Sequence, residues 1–142
     1  NRRDKGFNEE RTKNMSVDWS ASKYFSEKEF TCSHTGLCKM QQEFIDKLNA
    51  LREEFGAMII TSGYRDPSHP IEAKKKGRGG AHTTGQAADI LVSRADAHRL
   101  LSIAFRMGYT GIGVQQKGSS RFIHLDTLES SSQRPRPTIW SY

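Results

Sequence analysis

Residues 110–127 read "TGIGVQQKGSSRFIHLDT". Two short runs of β-branched and apolar residues flank "KGSS", which is the pattern of a hairpin. A hairpin makes at least part of the sheet antiparallel. Upstream, the order is helix, strand, long loop, strand, helix. Together these give an α+β class rather than a doubly wound parallel sheet: a small, partly antiparallel sheet with helices packed on one side. Side chains alternate along a strand, so Ile123 and Leu125 face the core while Phe122, His124 and Asp126 share the opposite face.

Working outward, "MQQEFIDKLNALREEFG" places Met40, Phe44, Leu48, Leu51 and Phe55 on one helical stripe, with Gly56 as its C-terminal stop. "AMIITSG" reads as a short buried strand and "QAADILV" as the next. Between them, "YRDPSHPIEAKKKGRGG" is rich in Pro, Gly and Lys and reads as a long surface loop. "SRADAHRLLSIAFRMG" reads as a second helix, with Ser93 as N-cap and Asp96 as a short capping-box partner. Its apolar face is Ala97, Leu100, Leu101, Ala104 and Met107. The tail "RPRPTIWSY" is extended because of its prolines, and Ile139 and Trp140 are expected to pack it onto the body.

The chain has 142 residues, enough for one domain with a real core. Residues 1–17 are charged and lack an apolar period, so a flexible N-terminal arm is expected, followed by a single domain over 18–142. No apolar run approaches the ~18 residues that span a bilayer, and Asn1–Asn14 does not have the character of a secretory leader. The net charge is +6, which favours polyanions without choosing among nucleic acid, cell-wall polymer and acidic membrane. Lys74, Lys75, Lys76 and Arg78 lack the aromatic platform of a nucleic-acid site and read as a mobile basic rim. No nucleic-acid partner is expected, and a monomer is.

Chemistry concentrates elsewhere. "GGAHTTGQAADILVS", residues 79–93, sets His82 on a turn and Asp89 at the head of a strand. If that strand neighbours "RFIHLDT", two imidazoles and one or two carboxylates converge. Two histidines and a carboxylate suit a divalent metal, and catalytic zinc sites keep one position for water. The residues alone leave the plainer readings open: a hydrogen-bonding surface histidine, and an aspartate that caps or pairs. There is no "HExxH".

"SGYRDPSHP", "GGAHTTGQAADI" and "RFIHLDT" occur in that order, and together they resemble the zinc D-alanyl-D-alanine carboxypeptidase family, which shares its fold with the hedgehog signalling domain and includes phage endolysins. The resemblance covers roughly residues 25–142. It implies one Zn²⁺ held by His82, Asp89 and His124, with Arg65 holding the substrate. Peptidoglycan stem or cross-bridge peptides are the implied partners, cut by a carboxypeptidase or an endopeptidase. It also implies action at the cell wall: periplasmic, extracellular, or phage-encoded as a lysin or virion component. Many relatives have Ser where Gly80 stands. Several branches place Glu, Asp or His shortly before the last ligand, where this chain has Ser119, Ser120 and Arg121. Asp126 is then the remaining candidate for general base, and its other reading is to orient a ligand or Arg65. The rival function is a non-catalytic, metal-containing module that binds cell wall or protein.

Three further features have plainer expectations. Cys32, His34 and Cys38 form a weak metal cluster; a disulfide or free thiols are the alternatives. His69 is expected to be a solvated loop residue, and His98 to face solvent.

Overall fold

The structure is a computed structural model and describes residues 17–75 and 80–142. The expected arm lies outside the described residues except for Val17, which is buried in the core. Lys76 and Arg78 of the basic run also lie outside them.

Five strands form one sheet in the order β1-β2-β4-β3-β5: β1 Ile59–Ser62, β2 Ala87–Leu91, β3 Gly111–Gln115, β4 Phe122–Asp126 and β5 Thr138–Ser141. All pairings are antiparallel except β3 with β5, which is parallel. The hairpin expected from residues 110–127 is therefore β3–β4, and the α+β class holds. Helix α1 is Gln42–Phe55, α2 is the single turn Pro70–Ala73, and α3 is Arg94–Arg106.

The helices and one sheet face make the core. From α1 come Phe44, Ile45, Leu48, Leu51 and Phe55, and from α3 come Ala97, Leu100, Ile103 and Ala104. They cover Ala88, Ile90, Ile112, Ile123 and Leu125, all within the same buried cluster. A side chain of this size contributes about 1.5–3 kcal/mol when fully buried. This burial leaves the sheet's other face to Asp89, His124 and Asp126.

α1 begins two residues after Met40, which is buried outside it, while the Gln41 N–H donates to Gly85 O at 2.9 Å. β1 is an edge strand among the described residues, none of which pairs with its outer side, and Ile59 is 61% exposed. Ser93 makes no side-chain cap bond, and Ile103, absent from the expected apolar face, is buried while Leu101 is only partly so. The long loop contains α2, entered by Pro70 and capped by His69, whose Nδ1 accepts from Ile71 N–H at 3.1 Å. The tail is a strand. Trp140 packs as expected, but Ile139 is 57% exposed.

β5 depends on glycine in β3. A Cβ at Gly113 would lie 2.7 Å from Trp140 Nε1, and one at Gly111 would overlap the Asp126 carboxylate. Bare backbone at both positions lets side chains of β4 and β5 meet above β3. Gly111→Ala is expected to destabilise the fold by about 1–3 kcal/mol through overpacking. Urea denaturation of the purified variant measures this.

Candidate metal centre

Strand register assembles the site. Ser62, Asp89, His124, Gly113 and Trp140 are successive cross-strand neighbours from β1 through β5. Asp89 on β2 therefore stands directly beside His124 on β4. His82 arrives from outside the sheet, on a single 3₁₀ turn, Ala81–Thr84. Its carbonyl accepts the Arg65 N–H at 3.1 Å, and its ring Nδ1 donates to Gly63 O at 2.8 Å. Two bonds to the chain just past β1 thus hold this turn over the sheet.

A carbonyl only accepts, so the Gly63 contact places hydrogen on His82 Nδ1 and leaves the Nε2 lone pair for the centre. His124 is arranged the opposite way. Its Nε2 donates to Asp126 Oδ2 at 2.8 Å, which leaves Nδ1 facing inward. His124 Nδ1 lies 3.3 Å from His82 Nε2 and 3.1 Å from Asp89 Oδ1, and His82 Nε2 lies 3.2 Å from the same oxygen. All three side chains are buried.

These donors fit zinc. Ligand bonds of about 2.0–2.1 Å in a tetrahedron give ligand–ligand edges of about 3.3–3.4 Å, close to the triangle seen. Two inward lone pairs and a carboxylate oxygen form a nitrogen and oxygen set that zinc favours. The outer nitrogen of each ring is held by an acceptor, as it is behind metal-bound histidines. Among the described residues, His82, Asp89 and His124 are the one group of three side chains whose ligating atoms gather this closely.

The electrostatics follow from burial and contacts. Burial raises the Asp89 carboxyl, but hydrogen bonds with His124 and His82 overcome it and hold the group well below the usual carboxylate range. For Asp126, burial also acts upward, and hydrogen bonds from His124 and Arg136 outweigh it to hold the carboxyl at about 2. Arg136 is the partner the sequence reading missed. Its Nε donates to Asp126 Oδ1 at 3.0 Å and its Nη2 to Oδ2 at 2.8 Å, a two-pronged pair with both side chains buried. The only signal of it in the sequence is a cation between two prolines, in a segment expected to be extended. Trp140 closes the same side, with its ring 5.0 Å from the His124 ring.

Arg65 reaches the centre from the end of β1. Its Nη2 lies 3.7 Å from Asp89 Oδ2 and its Nη1 3.7 Å from Glu72 Oε1. Glu72, on α2, is a second residue missed by sequence reading, because it lay in a stretch read as surface loop. Its side chain is fully buried.

The other candidates stay apart from this centre. Cys32 is buried and Cys38 half-buried, both as free thiols, and they do not gather with His34 into a ligand set. Cys32 Sγ instead accepts the Asp66 N–H at 3.3 Å. His98 is exposed, as expected.

Comparison with known proteins defines the chain as a metallopeptidase: the family model for peptidase M15 matches residues 23–126. The chain belongs to the peptidase M15 family, the zinc D-alanyl-D-alanine carboxypeptidase and hedgehog-type family that its motifs resemble, whose peptidases act on peptidoglycan. No curated protein and no solved structure gives a significant match. No helix among the described residues is long and apolar enough to cross a membrane.

Proposed function

We propose that this chain is a zinc-dependent peptidase that hydrolyses peptide bonds in the stem or cross-bridge peptides of peptidoglycan, as a D,D-carboxypeptidase or an endopeptidase. The observation that carries the reading is the triangle of His82 Nε2, Asp89 Oδ1 and His124 Nδ1, with edges of 3.1–3.3 Å. A bound zinc ion supplies Lewis acidity toward a carbonyl and makes water a nucleophile near neutral pH.

The chain's own residues do the rest. His82, Asp89 and His124 hold the ion. Arg65 binds the substrate through a carboxylate or a polarised carbonyl oxygen, and its guanidinium beside the centre stabilises negative charge that develops there. Of the two roles open to Asp126, we favour orientation over proton transfer. Both its oxygens accept from Arg136, and one also accepts from His124 on the ring edge turned away from Asp89. Asp126 therefore keeps the proton on His124 Nε2 and the lone pair on Nδ1. Trp140 shields that ring from water. The setting proposed is the cell wall, reached by export or by phage-driven lysis.

The test is digestion of purified sacculi and defined muropeptides, with products weighed by mass spectrometry and zinc measured on the same preparation. One zinc per chain with release of D-alanine or shortened peptides is the expected result. The absence of a carboxylate or histidine at 119–121 favours one rival, a metal-containing module that binds wall without cutting it. Sacculi bound yet left intact by the zinc-loaded protein would establish that rival.

A further inference from the structure

Hydrolysis of a peptide bond puts negative charge on the carbonyl oxygen, and donors aimed at that oxygen speed the reaction. Arg65 offers such donors from the β1 side of the centre. The chain has four tyrosines that could offer another. Three are committed elsewhere. Tyr24 donates to Glu53, Tyr64 donates to Asp66 at 3.3 Å, and Tyr109 lies in the core against Phe44. Tyr142 is different, with 51% of its surface exposed.

Its place follows from the sheet. Side chains alternate along a strand, so Tyr142 shares the face of Trp140, whose ring lies 5.0 Å from the His124 ring. Val114↔Ser141 is the last pair between β3 and β5, and Tyr142 comes next in the chain. In sheet order β3 separates β5 from β4, yet the Tyr142 ring lies 5.1 Å from the ring of Phe122 on β4. The side chain therefore crosses over β3, alongside Trp140, whose ring meets it edge-on at 6.5 Å. Phe122 is two residues from His124 on the same face, so the phenol is carried from the sheet's edge to the flank of the centre.

The charges there reach it. Burial is the largest of the effects that push this phenol above its ordinary value; Asp89 and Asp126 act with burial, while Trp140 and Arg65 act against it. Trp140 also sets the direction of the hydroxyl. An indole N–H only donates, so in its hydrogen bond with Tyr142 the phenol oxygen is the acceptor. No described residue accepts the phenol hydrogen, which is left to donate elsewhere. Arg65 and Tyr142 thus approach from the two edge strands of the sheet, on opposite sides of Asp89 and His124.

We propose that Tyr142 is a catalytic residue of this centre, whose phenol donates a hydrogen bond to the scissile carbonyl oxygen as that oxygen becomes negative. The inference rests on the peptidase reading above and adds a residue to it; Tyr142 lies beyond residue 126, where the family match ends. The proton stays on the phenol throughout. The bond strengthens as charge develops, so the group acts on rate more than on substrate binding.

The test is Tyr142→Phe, which removes one oxygen and keeps the ring beside Phe122 and Trp140. With zinc-loaded protein and a defined muropeptide, kcat is expected to fall about 10–100-fold with little change in KM, the range of a hydrogen bond to a charged group. A phosphinate analogue of the same peptide carries a charged tetrahedral oxygen in place of the carbonyl. Calorimetry should show its affinity falling by the same factor, while zinc content and Tm stay at wild-type values. Wild-type kcat and phosphinate affinity in the variant, a rise in KM alone, or a loss of rate that follows a loss of zinc overturns the assignment and leaves the peptidase reading standing. A zinc-loaded wild type that cuts no muropeptide removes the peptidase reading, and the role of Tyr142 with it.

Discussion

Replacing His82 with alanine is expected to reduce hydrolysis of muropeptides to background and to strip the protein of zinc. Under the proposed function His82 supplies one of three ligating atoms, and no other described histidine, cysteine or carboxylate gathers with Asp89 and His124 to replace it. The variant also loses the bond from Nδ1 to Gly63 O, one of the two that tie the 3₁₀ turn to the chain just past β1. Stability should report the same loss. A ligand present at 1,000 times its dissociation constant stabilises the native state by about 4 kcal/mol. For a chain of this size that is roughly 10–15 °C in Tm. Chelation of wild type should therefore lower Tm by that amount, and chelation of the variant should change little. Scanning calorimetry with and without chelator, beside metal analysis, reads both effects. A variant that keeps full activity and one zinc per chain would show that the ion, if needed, is held elsewhere.

The second large effect is at Asp126. Changing it to alanine leaves Arg136 buried with its charge-paired acceptor gone, a loss of about 3–5 kcal/mol in stability. Asp126→Asn is the gentler probe, since it retains shape and an acceptor oxygen. As an orienting residue, Asp126 predicts that the asparagine variant binds zinc about 10–100-fold more weakly and recovers activity as free zinc is raised. As a proton acceptor, it predicts unchanged zinc affinity and a fall in kcat that no amount of zinc repairs. Competition with a coloured chelator, followed by rate measurements across zinc concentrations, separates these outcomes. The first is expected, because Arg136 and His124 already occupy both carboxylate oxygens and hold the group at about 2, too acidic to collect a proton near neutrality.

Reading from sequence succeeded where the information was local. The alternation in "RFIHLDT" put His124 and Asp126 on one face and Ile123 with Leu125 on the other, since a strand's pleat has no other period. The stripe through Phe44, Leu48, Leu51 and Phe55 gave α1 for the same kind of reason. The motif order suggested His82, Asp89 and His124 as a set, and the register Asp89↔His124 brings them together. What stayed hidden depended on distant contacts. Arg136 meets Asp126 only because β5 adds to β3 in parallel, and such pairing leaves no mark in either strand's sequence. Glu72 looked like an ordinary loop residue, because its burial depends on Lys75, Gly80 and Arg65 folding around it. The capping role of His69 required knowing that Pro70 opens a helical turn. Fine helix limits were missed as well: Met40 keeps the stripe's spacing but is recruited to the core before the helix starts.

The place of β5 after all the other strands in chain order affects how the centre is assembled. A polypeptide that has emerged only as far as Ser132 already carries every proposed ligand and Arg65. It still lacks the guanidinium that neutralises Asp126 and the indole that shields His124. The tautomer of the second histidine is therefore fixed only once residues 136–140 have docked beside β3, and under the proposed function a fragment trimmed back to Ser132 is expected to hold zinc more weakly than one that keeps them.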